Sequence, residues 1–214
     1  MTDVWSDRAD AYRRSAIHSA GEDLDLVVEW CAAGPGVNVL DVATGGGHVA
    51  RRLRELGATV VTTDPAPGMG ADTTAPAESL PFADGSFDAV ACRLAAHHFA
   101  DVVTAVKEMA RVSKDRVVIC DNTFVSESSE EADRVRDPSH VRNYSVAEWE
   151  SFFELAGLRI VESHHFTRPL EIEPWLARVN CTGADAERVR ELLGDRVVDG
   201  SMPLPTLVVK GVKR

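Results

Sequence analysis

Short apolar segments alternate with amphipathic ones along most of the chain. Apolar runs rich in β-branched residues predict buried strands at 37–42, 58–63, 87–93 and 116–122. Apolar residues spaced three and four apart predict helices at 22–33, 47–56, 101–113, 145–156 and 184–194. Strands that alternate with helices are typical of an α/β protein with a mostly parallel sheet and helices on both of its faces.

Two segments depart from this alternation. The runs "LRIVESHHFTRPLEI" and "LPTLVVKGVKR" predict two strands, separated by a helical patch at 174–194, that close the sheet with an antiparallel C-terminal strand. Residues 65–77, "PAPGMGADTTAPA", contain three prolines and two glycines and are barely as long as a complete crossover. The helix and the strand after the second strand are therefore expected to be shortened or missing, with a third strand no longer than 71–75.

Composition and charge narrow the class of protein. A chain of 214 residues with 44% hydrophobic residues suits a single domain over 1–214 with a substantial core. The net charge of −11 argues against nucleic acid as a partner, because cations supply most of the affinity in broad contact with a phosphate backbone. No segment predicts a membrane span or a signal peptide. The four cysteines are widely spaced, which favours reduced thiols in a cytoplasmic protein.

The segment "VLDVATGGGHVARRL" joins the first predicted strand to the next helix. Gly45, Gly47 and Ala50 fit the G-x-G-x-x-G/A spacing of loops that bind a nucleotide cofactor at a helix N-terminus. Asp64 ends the second strand 19 residues after Gly45, where a carboxylate can accept both hydroxyls of an adenosine ribose. The alternative for Asp64 is a turn-forming aspartate. NAD and S-adenosylmethionine are both compatible with this loop.

Asp41 precedes the glycines, at the end of the first predicted strand. A carboxylate at this position repels a diphosphate, whereas it attracts the ammonium and sulfonium groups of S-adenosylmethionine. The alternative is that Asp41 only accepts hydrogen bonds from its own loop. The charge therefore favours S-adenosylmethionine over NAD.

Several segments together resemble one family. "VLDVATGGGHVA", "TTDPAPGM" and "AESLPFADGSFDAVACRLAAHHF" are similar to motif I, to the second-strand acidic motif, and to the adenine loop with the fourth strand of class I S-adenosylmethionine-dependent methyltransferases. "RDPSHVRNYSVAEW" resembles a segment found in the ubiquinone/menaquinone-biosynthesis-like (methyltransferase type 11) branch. The resemblance covers nearly the whole chain. It implies a Rossmann-like sheet and S-adenosylmethionine as cofactor, with S-adenosylhomocysteine as product.

The resemblance also implies a role for each residue at a matching position. The methionine moiety would be lined by Asp41, Ala43, Thr44, Gly45 and Gly47. Asp64 would bind the ribose. The adenine would be flanked by Pro65, Met69, Ala77, Glu78 and Ser79. Arg93 and Leu94 would face the methionine end and the methyl group.

The chain departs from the family's pattern in two places. Ala43 replaces the first glycine of motif I, a change that keeps a small side chain and is expected to cost little. Pro76 replaces an acidic residue that often precedes the adenine loop, so the amino group of adenine loses its usual partner. Asp72 is the expected substitute if the short loop folds back.

Candidate residues for the methyl acceptor follow the fourth and fifth strands. His97 and His98 are candidates for a base or for orienting the acceptor, because imidazole titrates near neutral pH. The alternative is one buried imidazole bonded to a carbonyl and one solvated imidazole. Expected substrate contacts come from Tyr12, His18, Asn122, His140, Arg142 and Tyr144. A loop held by its own hydrogen bonds is the alternative for the last three of these.

Three ranges are assigned to the substrate side of the domain: an N-terminal helical lid at 1–33, for which a frayed terminus is the alternative, and insertions at 123–144 and 170–196. His164 and His165 are neighbours in a predicted strand, so their side chains point to opposite faces. No metal site is expected from them.

The sequence thus predicts in-line methyl transfer from S-adenosylmethionine to a small-molecule acceptor whose reacting atom is oxygen, nitrogen, carbon or sulfur. An NAD-dependent oxidoreductase is the first alternative, and neither tyrosine has the lysine four residues later that such enzymes use. A degenerate member that binds the cofactor with little activity is the second, and the shortened 65–77 segment favours it. The oligomeric state is left open.

Overall fold

A seven-stranded sheet forms the centre of the structure, a computed structural model that describes residues 4–214 except for the side chains of Val4, Ala16 and Ile17. Its strands are β1 (Asn38–Val42), β2 (Thr59–Asp64), β3 (Thr73–Thr74), β4 (Phe87–Arg93), β5 (Ser113–Asn122), β6 (Leu158–Glu171) and β7 (Ser201–Lys213). Their order across the sheet is β3-β2-β1-β4-β5-β7-β6. Neighbours from β3 to β5 are parallel, and β7 is antiparallel to both β5 and β6. The predicted mostly parallel sheet with an antiparallel C-terminal strand is confirmed.

Helices cover both faces of this sheet, as predicted. In the described residues they are α1 (Val4–Arg13), α2 (Ala16–Ser19), α3 (Glu22–Trp30), α4 (His48–Glu55), α5 (Val102–Val112), α6 (Glu127–Arg136), α7 (Val146–Leu155), α8 (Ile172–Arg178) and α9 (Gly183–Leu193). Local chemistry sets several ends. For example, Ser145 and Glu148 form a capping box at the start of α7. None of the helices in the described part of the chain is long and apolar enough to cross a membrane.

Two apolar clusters lie on opposite faces of the sheet, because alternate strand residues point to opposite sides. Helices α3 and α4 pack against one face, over Val39, Ala89, Ala91, Val118 and Cys120. Helices α5 and α7 pack against the other, over Leu40, Val42, Val90, Val117 and Ile119. The sheet is thereby covered on both faces, and the carboxyl ends of its parallel strands remain available for a binding site.

The crossover after β2 is cut down as the prolines and glycines predict. A single 3₁₀ turn at Pro67–Met69 replaces the helix, and β3 contains only Thr73 and Thr74. Strand β3 pairs with the end of β2 in parallel. The shortened helix and strand are confirmed.

The two insertions predicted on the substrate side, 123–144 and 170–196, pack on each other. Ala132 of α6, Trp175 of α8 and Val189 of α9 share one apolar cluster with Leu170 and Met202 of the β6–β7 pair. Helix α6 was missed in the sequence, where this part of the chain was interpreted as a polar loop. Its sequence, ESSEEADRVR, contains few apolar residues, and these form a buried face only where α6 packs against α9.

Candidate active site

A cavity of about 300 Å³, the first cavity, lies at the carboxyl edge of the parallel strands. Strands β1, β2 and β4 are neighbours, so their carboxyl ends meet here. Most of the residues predicted to bind the cofactor line it: Asp41, Ala43, Thr44, Gly45, Asp64, Pro65, Met69, Ala77, Glu78, Arg93 and Leu94. Gly47 and Ser79 lie outside its wall. Trp5, Gly46 and His48 also line it and were missed, since only the folded loop places them there.

The loop after β1 has a left-handed backbone at several positions. The φ angle is 52° at Gly45 and 76° at Gly47. Ala43 has a φ of 53°, a conformation that costs an L-residue roughly 1–2 kcal/mol. The expectation that alanine costs little here is therefore wrong, because the position requires a left-handed backbone as well as a small side chain. Such strain is typical of loops that approach a ligand.

Asp41 is buried at the base of this loop and organises it. Its Oδ2 accepts a hydrogen bond from Thr44 Oγ1 at 2.6 Å and one from the backbone N–H of Ala50 at 3.1 Å. Burial raises the pKa of Asp41 to about 6, and the two hydrogen bonds oppose that rise. The carboxylate therefore does what the alternative interpretation stated, and it also forms part of the cavity wall.

Asp64 connects the glycine loop to the turn after β2. Its Oδ2 accepts a hydrogen bond from the N–H of Gly45 at 3.0 Å, and its Oδ1 accepts one from the N–H of Ala66 at 2.9 Å. The carboxylate is buried and lines the first cavity. Two loops are thus held around one negative charge, at the edge where ribose hydroxyls are predicted to bind.

Asp72 does not take the place of the missing acidic residue near adenine. Its Oδ2 accepts hydrogen bonds from Thr62, through the N–H at 2.9 Å and through Oγ1 at 2.8 Å, and lies 3.2 Å from Arg54 Nη2. It is outside the wall of the first cavity. The expected substitution by Asp72 is therefore wrong, because β2 holds this side chain on its outer side.

Arg93, at the end of β4, joins the sheet to the N-terminal helices. Its Nε donates to Asp23 Oδ2 at 2.7 Å, and its Nη1 donates to the carbonyl of His18 at 2.8 Å. Both charged side chains of the pair are buried. The cationic side chain is therefore largely used in holding α3 and the end of α2, although it also forms part of the cavity wall.

The expected lid range, 1–33, contains two kinds of segment, with residues 1–3 outside the described part. Helix α3 belongs to the apolar core. Helix α1 instead packs over the turn after β2, with Ala9 and Met69 in one small cluster. Trp5, Tyr12 and His18 close the first cavity from this side.

Gly68 allows the close packing of α1. The N–H of Gly68 donates to Ser6 Oγ at 2.7 Å, and Arg13 Nη2 donates to the carbonyl of Gly68 at 2.8 Å. A Cβ on Gly68 would overlap Ser6 Cβ and lie 2.6 Å from Ser6 Cα. There is no room for a side chain between the helix and the turn.

Gly68→Ala is expected to release α1 from the body of the protein, because the new methyl group meets backbone of the helix. Hydrogen exchange of the amides in 4–13 should become about tenfold faster, which corresponds to roughly 1.4 kcal/mol less free energy of local opening. Gly34→Ala is the control, since a Cβ at Gly34 meets no atom within 4 Å. Equal exchange rates in the two variants would contradict the packing described.

His97 and Asp121 form a buried pair between the ends of β4 and β5. His97 Nδ1 lies 2.6 Å from Asp121 Oδ1, and the N–H of His97 donates to Asp121 Oδ2 at 2.8 Å. Burial alone would lower the pKa of His97, but the charge of Asp121, its hydrogen bond to the ring and the charge of Asp133 together outweigh burial and raise that pKa. Asp121 thus holds the Nδ1–H tautomer and leaves the Nε2 of His97 to meet a ligand. In the sequence, Asp121 can be recognised as a candidate because it lies at the end of the strand next to the one that His97 follows.

His98 differs from its neighbour in the direction of its pKa shift. Its Nδ1 lies 3.0 Å from the carbonyl of Ser139, so Nδ1 carries the proton and donates it. Burial, followed by the charge of His97, lowers the pKa of His98 to about 3. His98 is therefore a neutral imidazole near pH 7. His98 matches the alternative of a buried imidazole that is hydrogen-bonded to a carbonyl. His97 is paired with Asp121 rather than solvated.

A smaller second cavity, of about 60 Å³, adjoins the first. Tyr12, His18, Leu94 and His98 belong to the walls of both cavities. The remaining wall of the second cavity is formed by His97, Asn122, Asp133, Arg136, Asp137, His140, Asn143, Arg168, Leu170, Trp175, Arg178 and Leu204. Of the residues predicted to contact substrate, Tyr12, His18, Asn122 and His140 are thus brought together.

Arg142 and Tyr144 are placed elsewhere. Arg142 Nη2 lies 3.1 Å from Glu148 Oε1 on the surface. Tyr144 is buried against Trp149 and Phe152. Neither residue lines a wall of the two cavities. Their contacts match the alternative of a segment held by its own interactions.

Glu130, Asp133 and His140 form a cluster with one potential metal-ligand atom each, all within 4.8 Å of one another. His140 Nε2 lies 3.0 Å from Glu130 Oε2. Asn143 Nδ2 donates to both carboxylates, at 2.9 Å in each case. The polar atoms of the cluster thus already form hydrogen bonds with one another and with Asn143.

His164 lies in β6, outside this cluster, and its Nε2 is 2.9 Å from Glu22 Oε1.

Comparison with known proteins identifies the family. Residues 40–120 match the methyltransferase domain family. An uncharacterized methyltransferase of Bacillus subtilis (strain 168), YcgJ, is 32% identical over 211 residues, which cover 88% of this chain and 82% of that protein. The chain belongs to the methyltransferase family.

Solved structures and a named relative are similar to this methyltransferase to different extents. The crystal structure of YcgJ has a TM-score of 0.82 at 27% identity, covering 90% of this chain and 98% of that one. BH2331 of Bacillus halodurans C-125 has a TM-score of 0.78 at 29% identity, covering 90% and 99%. Demethylmenaquinone methyltransferase of Mycobacterium sp. (strain KMS) is 38% identical over 120 residues, 50% of this chain and 52% of that enzyme. The last similarity thus spans only about half of each chain.

Proposed function

We propose that this methyltransferase takes its methyl group from S-adenosylmethionine and transfers it to a small-molecule acceptor. The observation that carries the proposal is the placement of two buried carboxylates, Asp41 and Asp64, in the wall of one cavity beside a glycine loop. A carboxylate at the methionine end attracts ammonium and sulfonium charges, and one at the end of β2 suits ribose hydroxyls.

The residues present fit this cofactor. A Cβ on Gly45 would meet no atom within 4 Å, so the backbone is open to a ligand there. Met69, Pro76, Ala77 and Phe99 give the cavity an apolar side suited to a flat adenine ring. Because Asp72 lies elsewhere, the adenine amino group would be recognised by shape and backbone groups rather than by that carboxylate.

When bound, S-adenosylmethionine supplies a methyl group that its sulfonium already activates. Asp41 and Asp64 would hold the cofactor, and transfer would form a bond from the acceptor atom to the methyl carbon as the carbon–sulfur bond breaks, with its electron pair left on sulfur. An acceptor that carries a proton would pass it to Nε2 of His97, whose orientation Asp121 maintains. Trp5, Tyr12 and His18 would exclude water and hold the acceptor in line.

Asp64→Ala is expected to weaken binding of S-adenosylhomocysteine by about 1–3 kcal/mol, or roughly 5- to 150-fold, because ribose hydroxyls lose their acceptor. The loops that Asp64 holds through Gly45 and Ala66 would also loosen. Calorimetric titration of the wild type and the variant measures the change. Asp72→Ala is the matched control, since Asp72 lies outside the cavity wall and should leave the affinity within about twofold.

The same titration separates the alternatives. Binding of S-adenosylmethionine and its demethylated product, without binding of NAD, is the expected result. Tight binding of NAD alone would overturn the proposal. Binding of S-adenosylmethionine with no turnover across a panel of phenols, amines and thiols would instead indicate a member with little activity.

A further inference from the structure

The second cavity carries an unusual set of charges. Three arginines from separate elements line it: Arg136 at the end of α6, Arg168 in β6 and Arg178 at the end of α8. The whole chain has a net charge of −11, so this local concentration of cations runs against the overall charge. A cavity walled by fixed charges of one sign concentrates ligands of the opposite sign.

These arginines are incompletely paired within the described residues. The Arg178 side chain lines the cavity and makes no hydrogen bond or ion pair with any described residue. Arg136 stacks on Trp175 at 4.3 Å and donates from Nε to the carbonyl of Trp175 at 3.1 Å, with no carboxylate partner among the described residues. Arg168 donates from Nη2 to Asn122 Oδ1 at 3.0 Å, while its buried Nε makes no hydrogen bond with any described residue.

The carboxylates around the cavity do not balance the three cations. Asp137 lies in the wall, but its Oδ2 is 3.0 Å from Arg8 Nη1 and its Oδ1 accepts from Ser139. Asp133 is the other wall carboxylate, and it accepts a hydrogen bond from Asn143. Asp23, behind the wall, pairs closely with Arg93 and is 3.8 Å from Arg168 Nη1. An excess of positive charge remains.

The charges of neighbouring arginines also affect the pKa values of Arg136 and Arg178. Burial lowers the pKa of Arg136 to about 10; the charges of Asp137 and Asp133 oppose this, and the charge of Arg178 adds to it. Burial lowers the pKa of Arg178 as well, and the charge of Arg168 adds to this. Guanidinium groups stay charged in proteins, so the three arginines repel one another, and a bound anion would reduce this repulsion. Guanidinium groups bind carboxylate and phosphate oxygens in pairs of hydrogen bonds.

We propose that the second cavity binds a carboxylate or phosphate group of the methyl acceptor, and that the acceptor is therefore a small anion; this rests on the proposed function. A volume of about 60 Å³ holds one such group or a few waters, but not a large ring system. The rest of the acceptor then lies at Leu94 and His98, the wall shared with the first cavity. This placement brings its reacting atom next to the predicted methyl group and within the reach of His97.

The test compares benzoate, phenyl phosphate and the uncharged benzamide as probes, titrated into the protein with and without saturating S-adenosylhomocysteine. Benzoate or phenyl phosphate is expected to bind at least tenfold more tightly than benzamide, and the tighter of the two identifies the anion. Arg178→Gln should remove most of this preference, whereas Arg178→Lys should retain part of it. The affinity for S-adenosylhomocysteine should stay within twofold in both variants.

Arg188→Gln is the matched control, because Arg188 is an exposed arginine of α9 that pairs with Glu131 at 2.7 Å. It should bind all three probes as the wild type does. Benzamide binding as tightly as both anions, or an anion preference that survives Arg178→Gln, would overturn the inference. If the wild type fails to bind S-adenosylhomocysteine, the proposed function is lost, while the anion preference is still measured on the protein alone.

Discussion

Replacing Asp23 with alanine is expected to lower the free energy of unfolding by about 3–5 kcal/mol. The side chains of Asp23 and Arg93 are only 3% and 4% exposed, and Arg93 Nε donates to Asp23 Oδ2 at 2.7 Å. Without the carboxylate, the guanidinium stays buried next to Arg168 with its charge uncompensated. Urea unfolding followed by circular dichroism measures the loss.

Asp25→Ala on the same helix is the control. Its carboxylate pairs with Arg52 at 2.9 Å, but the Asp25 side chain is 62% exposed, so solvent weakens the pair. The expected loss is about 0–1 kcal/mol. A double variant, Asp23→Leu with Arg93→Met, removes both charges and should recover much of the stability lost in Asp23→Ala. Similar small losses for Asp23→Ala and Asp25→Ala would show that the pair does not hold α3.

Asp121→Asn is expected to lower kcat by about 10²- to 10⁴-fold for an acceptor that must lose a proton. The carboxylate holds the neutral His97 ring with its proton on Nδ1, and under the proposed function Nε2 accepts the proton of the acceptor. An asparagine keeps the shape of the side chain but can present either an oxygen or an amide to Nδ1. Turnover is measured at saturating cofactor, with the affinity for S-adenosylhomocysteine as the check that the first cavity is intact.

The pH dependence gives this variant a second readout. Asp121 raises the pKa of His97 above the ordinary 6.5, and only the neutral imidazole accepts a proton. Wild-type kcat/KM should therefore rise with pH through that raised pKa. In Asp121→Asn the attraction is lost, so the rise should move to lower pH. His98, with a pKa of about 3, stays neutral and adds no step in this range.

His165→Gln provides the control, because the His165 side chain is exposed on β6 and forms a hydrogen bond only with Ser163 among the described residues. It should leave both kcat and the pH profile unchanged. A wild-type profile that is flat from pH 5 to 9 would remove His97 as the base. A loss of rate in Asp121→Asn without a shift of the profile would assign Asp121 to structure alone.

Local patterns in the sequence were sufficient for most of the fold. Apolar runs and helical periodicity predicted the sheet, and the prolines and glycines of 65–77 predicted the missing helix. Helix α6 was not predicted, because its buried positions include the polar residues Ser129 and Glu130. Glu130 is buried against His140 and Asn143, which pair with its carboxylate. The apolar pattern of a sequence does not predict a helix whose buried positions are polar.

The two cavities also differ in how far they could be predicted from the sequence. Asp41 lies near the end of a strand, and Asp64 ends the next one at a recognisable spacing from the glycine loop, so the first cavity could be predicted from the sequence. The arginines of the second cavity are far apart in the chain and belong to elements that meet only through the packing of α6, α8 and β6. No motif spacing joins Arg136 to Arg178. A cluster of this kind becomes visible only in the folded molecule.

Tyr12 and His18 form part of the wall of both cavities. Under the proposed function, withdrawal of this one segment would uncover cofactor and acceptor together, and spent cofactor would not be exchanged while the acceptor stays enclosed. An acceptor with two methylation sites would then be released between the two transfers, so methylation would be distributive rather than processive.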